Sequence, residues 1–529
     1  MSINKQYKIN NKKSSMKKIL IFALGLFVFA SCANKSAENK CNLKHTKWAY
    51  DATIYELNTR QLTEEGTFAA AEAILPQLKE SGIDIIWIMP CQKIGVLNRK
   101  GTLGSYYAIQ DYCELNPEFG TRADFEHFLA TAHELGLKVI LDWVANHTAP
   151  DSEWTKNEGW HYRDSLGNLM VQYDWTDISK LNYNNEDMRA AMKEAMHWWM
   201  DTIGIDGFRC DVAGEVPTDF WNEVMGEIKV KHPDMFTLAE DEAKAKELTQ
   251  QAFDMYYGWE LHHLMNSVAQ GKSNVNDLWN YFAKVDSTLC PKAIRMNFTS
   301  NHDENSWNGT EFERMGNATD LFAAFTYIVP GMPMIYTGQM SGNHHRLEFF
   351  EKDVIDRVEN APQHALYKSL NAFRKANKAI WSNEIGAEMK RLACDNENIF
   401  ACVRQKVCPK GGENTVVALM NMSGEEQTLD GRFEDTLLST YNIVNENIYE
   451  QDKYASYMNA IATYDKVENK ANPDAPKVIS QGPSITFFQN DKITDAQVKA
   501  SWKFYKHITN AYNSAAYAIY TGYEPVRQS

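Results

Sequence analysis

None of the 9 cysteines forms a C-x-x-C pair, and no zinc-type His/Cys spacing occurs. The recognisable zinc-site patterns are therefore excluded, and most of the cysteines read as buried single thiols. Positive charge is also scarce. Lys and Arg number 54 against 69 Asp and Glu, a formal net charge of −15 with a pI of about 5.5. That balance excludes a nucleic-acid partner held by its phosphates and suits a neutral ligand. No internal repeat or low-complexity tract is present.

What is present is ample and ordinary for a folded chain. Its 529 residues suggest two or three domains with a sizeable core, and 44% hydrophobic against 23% charged residues is a globular balance. Aromatics reach 12% with 14 Trp, which fits a large core or flat platforms for sugar rings. Short apolar runs at 53–57, 83–89, 138–144, 205–210, 235–239, 252–256, 294–299 and 333–337 read as strands. Helical periodicity lies between them, for example at 68–81, 121–135, 187–202 and 318–328. Eight strands separated by helices predict an α/β fold, a parallel (β/α)8 barrel of the TIM type. Two strand-to-helix connections are long, 90–120 and 145–184, and both fall on the face where barrel active sites lie. After residue 380 short alternating strands at 387–393, 399–404, 415–421 and 426–429 predict a small antiparallel β domain.

The strand ends carry the polar clusters. Strand three ends Leu141-Asp142-Trp143-Val144-Ala145-Asn146-His147, and strand four Gly207-Phe208-Arg209-Cys210-Asp211. Strand five ends Leu238-Ala239-Glu240, and strand seven Phe298-Thr299-Ser300-Asn301-His302-Asp303. Asp211 and Glu240 would end neighbouring strands about 4.8 Å apart. Double displacement at a glycosidic bond needs two carboxyls about 5–5.5 Å apart. Arg209, two residues before Asp211, shares its face of the strand and is expected to keep it ionised as a nucleophile. Glu240 has no cation at a matching position and precedes Asp241 and Glu242, so burial and like charge are expected to raise it into an acid's range. A single Arg-x-Asp pair is most often a structural ion pair, but joint placement at four strand ends is harder to dismiss.

These clusters resemble, in order and spacing, four short motifs of the α-amylase (glycoside hydrolase 13) family over 48–374. By that resemblance Asp211 is the nucleophile, Glu240 the acid/base, and Asp303 the third carboxylate that holds ring hydroxyls. Arg209 is the nucleophile's partner; His147 and His302 hydrogen-bond the sugar; Tyr107 is the stacking tyrosine; Asp142 joins the substrate-binding set. Asn146 matches a calcium ligand in many members, although the chemistry needs no cofactor and calcium takes about six to eight oxygens. Three departures stand out. Tyr106 occupies a position often held by Pro. Ala213-Gly214 stands near the family's Lys-His pair, which helps bind the next sugar, and Met340 stands where Glu is common. The segment 148–182 resembles a short form of the family's inserted second domain, where Trp154, Trp160 and Trp175 either line subsites or pack the lobe. The implied activity is retaining hydrolysis of α-glucosidic bonds in starch- or glycogen-derived glucans or maltooligosaccharides. A transglycosylase using the same residues and a non-catalytic glycan-binding lipoprotein are the alternatives.

Both termini add expectations. Lys17 and Lys18 precede an apolar run, 19–30, too short to span a bilayer and shaped like a secretory signal. It ends Phe29-Ala30-Ser31-Cys32, which resembles a lipobox and implies export and a lipid anchor to the membrane at Cys32. By its pattern the β domain is expected to stop near Glu434, incomplete, and the rest resembles part of a sugar-transport solute-binding lipoprotein. The expected organisation is a signal peptide (1–32), a linker (33–46), a catalytic barrel (47–379) with its insertion (148–182), a β domain (380–437) and a mixed helical tail (438–529).

Overall fold

A computed structural model describes residues 43–392, 394, 396–407, 413–425, 427–429, 442–443, 478–480 and 484–489. The signal peptide, Cys32 and most of the tail expected at 438–529 lie outside these residues.

Eight parallel strands close into a barrel: β1 (Ile54–Leu57), β2 (Ile85–Ile88), β3 (Lys138–Trp143), β4 (Gly207–Cys210), β5 (Phe236–Ala239), β6 (Met255–Tyr257), β7 (Ile294–Asn297) and β8 (Met332–Tyr336). Each pairs with its neighbour in sequence, and β1 closes on β8. Six of the eight fall inside the runs read from the sequence; β6 ends one residue later and β8 begins one residue earlier. Both faces of the strands are buried, as helix-covered parallel strands require. Gly207 is needed for closure, because a Cβ there would collide with the Phe236 carbonyl oxygen of β5.

The helices follow local chemistry. The stretch expected as one helix at 68–81 is two, Phe68–Glu72 and Leu75–Glu80, because Pro76 fits only the first turn of a helix. Arg122–Glu134 starts on a capping box of Thr121 and Asp124. After β3 the chain makes a small lobe, tied down where Ser179–Lys180 pairs with His147–Thr148. Cys290 is disulfide-bonded, whereas Cys91, Cys210 and Cys402 are buried free thiols.

Beyond the barrel lies an antiparallel sheet of β9 (Met389–Arg391), β10 (Ile399–Val407), β11 (Glu413–Asn421), β13 (Asn442–Ile443) and β15 (Ser484–Gln489), in the order β9-β10-β11-β15-β13. A second pair joins β12 (Gln427–Leu429) to β14 (Val478–Ser480). Trp279 of the barrel stacks on Phe400 of β10 with ring centroids 4.4 Å apart. Arg404 is buried at the same seam and donates to the carbonyls of Ile328, Ala387 and Trp381.

Here the reading of the tail is corrected. The sheet does not end near Glu434: β15 pairs with β11 from Val417↔Phe488 to Asn421↔Ser484. The segment 478–489, taken as part of a foreign fragment, supplies strands to the β domain. The long gap between β12 and β14 hid this, because an antiparallel partner can return from any distance in sequence. Without β15, the edge of β11 would lose its backbone partners. A chain ending at residue 477 is therefore expected to melt roughly 5–10 °C below the full chain. Calorimetry checks this, and equal melting temperatures would show that β11 needs no partner.

Candidate active site

Arg209 organises the C-terminal mouth of the barrel. It is the third residue of β4, in register with Asp142 of β3. Its side chain has 0% exposure, so its N–H donors must find partners inside the protein. Nη1 donates to Asp142 Oδ1 at 2.9 Å and to Asp211 Oδ1 at 3.1 Å. Nη2 lies 3.0 Å from Glu240 Oε2, and Nε and Nη2 donate to the Tyr257 hydroxyl at 3.3 and 3.1 Å. One guanidinium thus serves both Asp211 and Glu240. The expectation that Glu240 lacks a cation is wrong, because a guanidinium has two Nη groups and reaches across to the next strand.

Backbone bonds carry the strand register one residue further. Asp211 N–H donates to the Trp143 carbonyl and Glu240 N–H to the Cys210 carbonyl, at 2.9 and 3.0 Å. Glu240 Oε2 also accepts from the Val212 N–H at 2.8 Å. Side-chain exposure is 12% for Asp211, 13% for Glu240 and 36% for Asp303, so all three reach the cleft. Asp142 and Arg209 do not. Asp142 Oδ2 is occupied by Trp87 Nε1 and the Tyr107 hydroxyl, at 3.1 and 3.0 Å. Both were expected at the substrate; with 0% exposure they act on it only through the groups they hold.

The charge balance is lopsided. Glu56, Asp142, Asp211, Glu240 and Asp303 cluster around the two cationic groups Arg209 and His302. Burial, then the nearby Glu240, push Asp211 well above the ordinary carboxylate range, and Arg209 only partly offsets them. Here too an expectation is corrected: the guanidinium does not win over desolvation, since it is shared among three carboxylates.

The histidines differ in charge. Burial holds His147 down at about 3, a neutral imidazole whose Nδ1 lies 3.2 Å from Asn146 Nδ2. Burial alone would also lower His302, but Asp303 and Glu56 overcome it and raise it to about 9. His302 Nε2 is 2.8 Å from the Tyr107 hydroxyl and 3.4 Å from Asp303 Oδ2, and its ring stacks on Tyr107 at 5.4 Å. Phe349 extends that stack, with Trp307 beside it, 53% exposed. Sequence reasoning missed Glu56, Tyr257, Phe349 and Trp307. Only Glu56 left a signal, a carboxylate inside the apolar run Ile54-Tyr55-Glu56-Leu57.

The lobe tryptophans separate into two kinds. Trp154 and Trp160 pack on each other at 5.2 Å, and Trp154 on Tyr112 at 4.7 Å, which is local packing. Trp175 instead lies 5.8 Å from His147. Tyr106, in the place of a Pro, lies under the Arg60 guanidinium and donates to Asn58.

Among the described residues no group of three or more His, Cys, Asp or Glu gathers to hold a metal ion, at Asn146 or elsewhere. The Asn146 amide donates to Gln172 Oε1 at 2.7 Å, its other neighbour is the His147 ring, and Lys180 acts on that imidazole as a positive charge. Neutral amides beside a lysine are not the oxygen-rich anionic set that calcium takes. Dialysis against EDTA is expected to leave both melting temperature and activity unchanged. A fall restored by calcium would overturn this.

Comparison with known proteins agrees with this architecture. A family profile described as the catalytic domain of alpha amylase matches residues 53–159 and 155–388. Alpha-amylase MalA of Haloarcula japonica is 28% identical over 326 residues, covering 59% of this chain and 47% of that protein, so the chain spans about half of it. A cyclomaltodextrin glucanotransferase of Bacillus sp. (strain 1-1) is 25% identical over 438 residues, 75% of this chain and 59% of the relative. The crystal structure of an alpha-amylase from Lactobacillus plantarum superposes with a TM-score of 0.69 at 28% identity, covering 84% of this chain and 100% of that one. With the profile spanning more than half of its residues, the chain belongs to the alpha-amylase catalytic-domain family.

Proposed function

We propose that this chain is a glycoside hydrolase that cleaves α-glucosidic bonds in starch- or glycogen-derived glucans or maltooligosaccharides with retention at the anomeric carbon. The observation that carries this reading is the sharing of Arg209 between Asp211 and Glu240 at the ends of adjacent strands. Adjacent strands lie about 4.8 Å apart, which is compatible with the separation of about 5–5.5 Å that a retaining pair needs. The first step needs one proton, which the acid of the pair supplies.

Glu240 gives that proton to the glycosidic oxygen as the bond to the anomeric carbon breaks. An Asp211 oxygen attacks the same carbon and forms a glycosyl ester. Glu240, now a carboxylate, takes a proton from water, and the resulting hydroxide attacks the anomeric carbon and frees Asp211. Arg209 follows the charge through both steps: it balances Asp211 before attack and Glu240 after proton donation. Asp303, the most open of the three, is free to hold ring hydroxyls, and neutral His147 can do the same from the other side of the cleft.

Transfer to a sugar acceptor instead of water uses identical steps. That second reading is favoured by the glucanotransferase among the relatives. Binding without catalysis is disfavoured, because recognition alone does not need two cleft carboxyls held on one guanidinium. The proposal includes export and a lipid anchor at Cys32, supported by the basic, short apolar leader.

Asp211→Asn is expected to lower glucan turnover roughly 10⁴-fold while leaving the melting temperature similar or higher. Turnover surviving in the folded variant would remove Asp211 from its role, and transfer products dominating in water would rename the enzyme. Cys32→Ser is expected to release the protein from the membrane fraction; retention there would refute the anchor.

A further inference from the structure

Glu56 is a buried carboxylate that the steps above do not use. It sits on β1, in register with Trp87 of β2 and Tyr336 of β8, with 0% exposure. One oxygen, Oε2, has no hydrogen-bond partner. The other, Oε1, lies 2.5 Å from Nδ1 of His302. Such a carboxylate is costly inside a barrel, so the contact it does make must hold it there.

Hydrogen-bond geometry fixes the protons of this contact. The Tyr107 hydroxyl has one hydrogen and donates it to Asp142 Oδ2, which accepts from Trp87 as well. Towards His302 the Tyr107 oxygen is therefore an acceptor, at 2.8 Å, and Nε2 must carry a hydrogen. At 2.5 Å a second proton lies between Nδ1 and Glu56. Around the ring stand Glu56 from β1, Tyr107 from the loop after β2, Arg209 from β4 and Asp303 beside it. Asp142 of β3 acts through Tyr107.

We infer that Glu56 is a positioning residue that fixes His302 as a double N–H donor, Nδ1–H to Glu56 and Nε2–H to the Tyr107 hydroxyl, and so as a cation beside Asp303. This rests on the glycosidase reading for its purpose but not for its chemistry. A His302 so held keeps a positive charge 3.4 Å from Asp303 Oδ2, which leaves the other Asp303 oxygen to the sugar. Both members of the pair are shifted in the direction of keeping the shared proton. Burial raises Glu56, and the neighbouring carboxylates raise His302 to about 9.

Glu56→Gln keeps the shape and removes the charge. It is expected to lower kcat/KM on a maltooligosaccharide roughly 10–100-fold. The alkaline limb of the pH profile should move to lower pH, because His302 then loses its proton earlier. In a His302→Asn background the same change should cost little more, since Glu56 acts through His302. An unchanged profile in Glu56→Gln, or losses that multiply in the double variant, would show Glu56 to be merely structural. ¹⁵N NMR of the imidazole in the unaltered chain needs neither a variant nor activity. Both ring nitrogens should be protonated at pH 7, and a neutral His302 ring there overturns the inference even if the enzyme proves to be a glucan hydrolase.

Discussion

A buried guanidinium is the constraint on which the rest of this site depends. Arg209 has no path to water, and a buried charge without partners costs several kcal/mol. Its donors are met by Asp142, Asp211, Glu240 and Tyr257, which come from β3, the ends of β4 and β5, and β6. The barrel must therefore close in one register. A slip of one residue in β4 would turn Arg209 out of the interior and strand Asp142. The same contacts that satisfy the barrel interior set the two carboxyls at its mouth, so stability and site geometry are one requirement here.

Charge explains the division of labour among similar groups. Five carboxylates around two cationic groups cannot all be ionised in a desolvated cluster. Asp142 accepts from Arg209, Trp87 and Tyr107 and is tied up as an anchor. Glu56 shares a proton with His302. Burial and the nearby Glu240 raise Asp211, which Arg209 only partly offsets. His147 lies among neutral amides and aromatic rings and loses its charge, while His302 lies among carboxylates and keeps it. Two histidines drawn from similar strand-end patterns thus end in opposite protonation states, for reasons of surroundings alone.

Period and strand-end polarity made most of the barrel legible in the sequence. All eight strands were readable because buried parallel strands form short apolar runs, several of them rich in Ile and Val. The residues gathered at the mouth were readable because barrel strands deliver their C-terminal ends to one place. What escaped depends on reach across strands. Nothing near Glu240 in sequence announces Arg209, which is 31 positions earlier. Glu56 is hidden because a lone carboxylate in an apolar run gives no hint of its partner, 246 residues away. The closure of the C-terminal sheet escaped for the same reason: β11 and β15 are separated by more than sixty residues of dissimilar pattern.

One departure from the family pattern, after Asp211, changes the wall beside the pair. Gly214 and Glu215 are close to the place of the family's Lys-His pair, and both are held by lysines from elsewhere. Lys244 donates to the Gly214 carbonyl, and Lys180 of the lobe lies 3.7 Å from Glu215. Tyr173, at a positive φ of 52°, adds a hydroxyl bond to the same Glu215. A non-glycine residue holds such a backbone angle only where its surroundings impose it. Positive charge thus enters this region from the lobe and from the loop after β5 rather than from the segment after Asp211. Arg209 and its carboxylates do not depend on that choice, because none of their hydrogen bonds runs through Gly214 or Glu215. The bond-breaking groups and the walls beside them are consequently separable, and chains of this fold can keep the first while rebuilding the second.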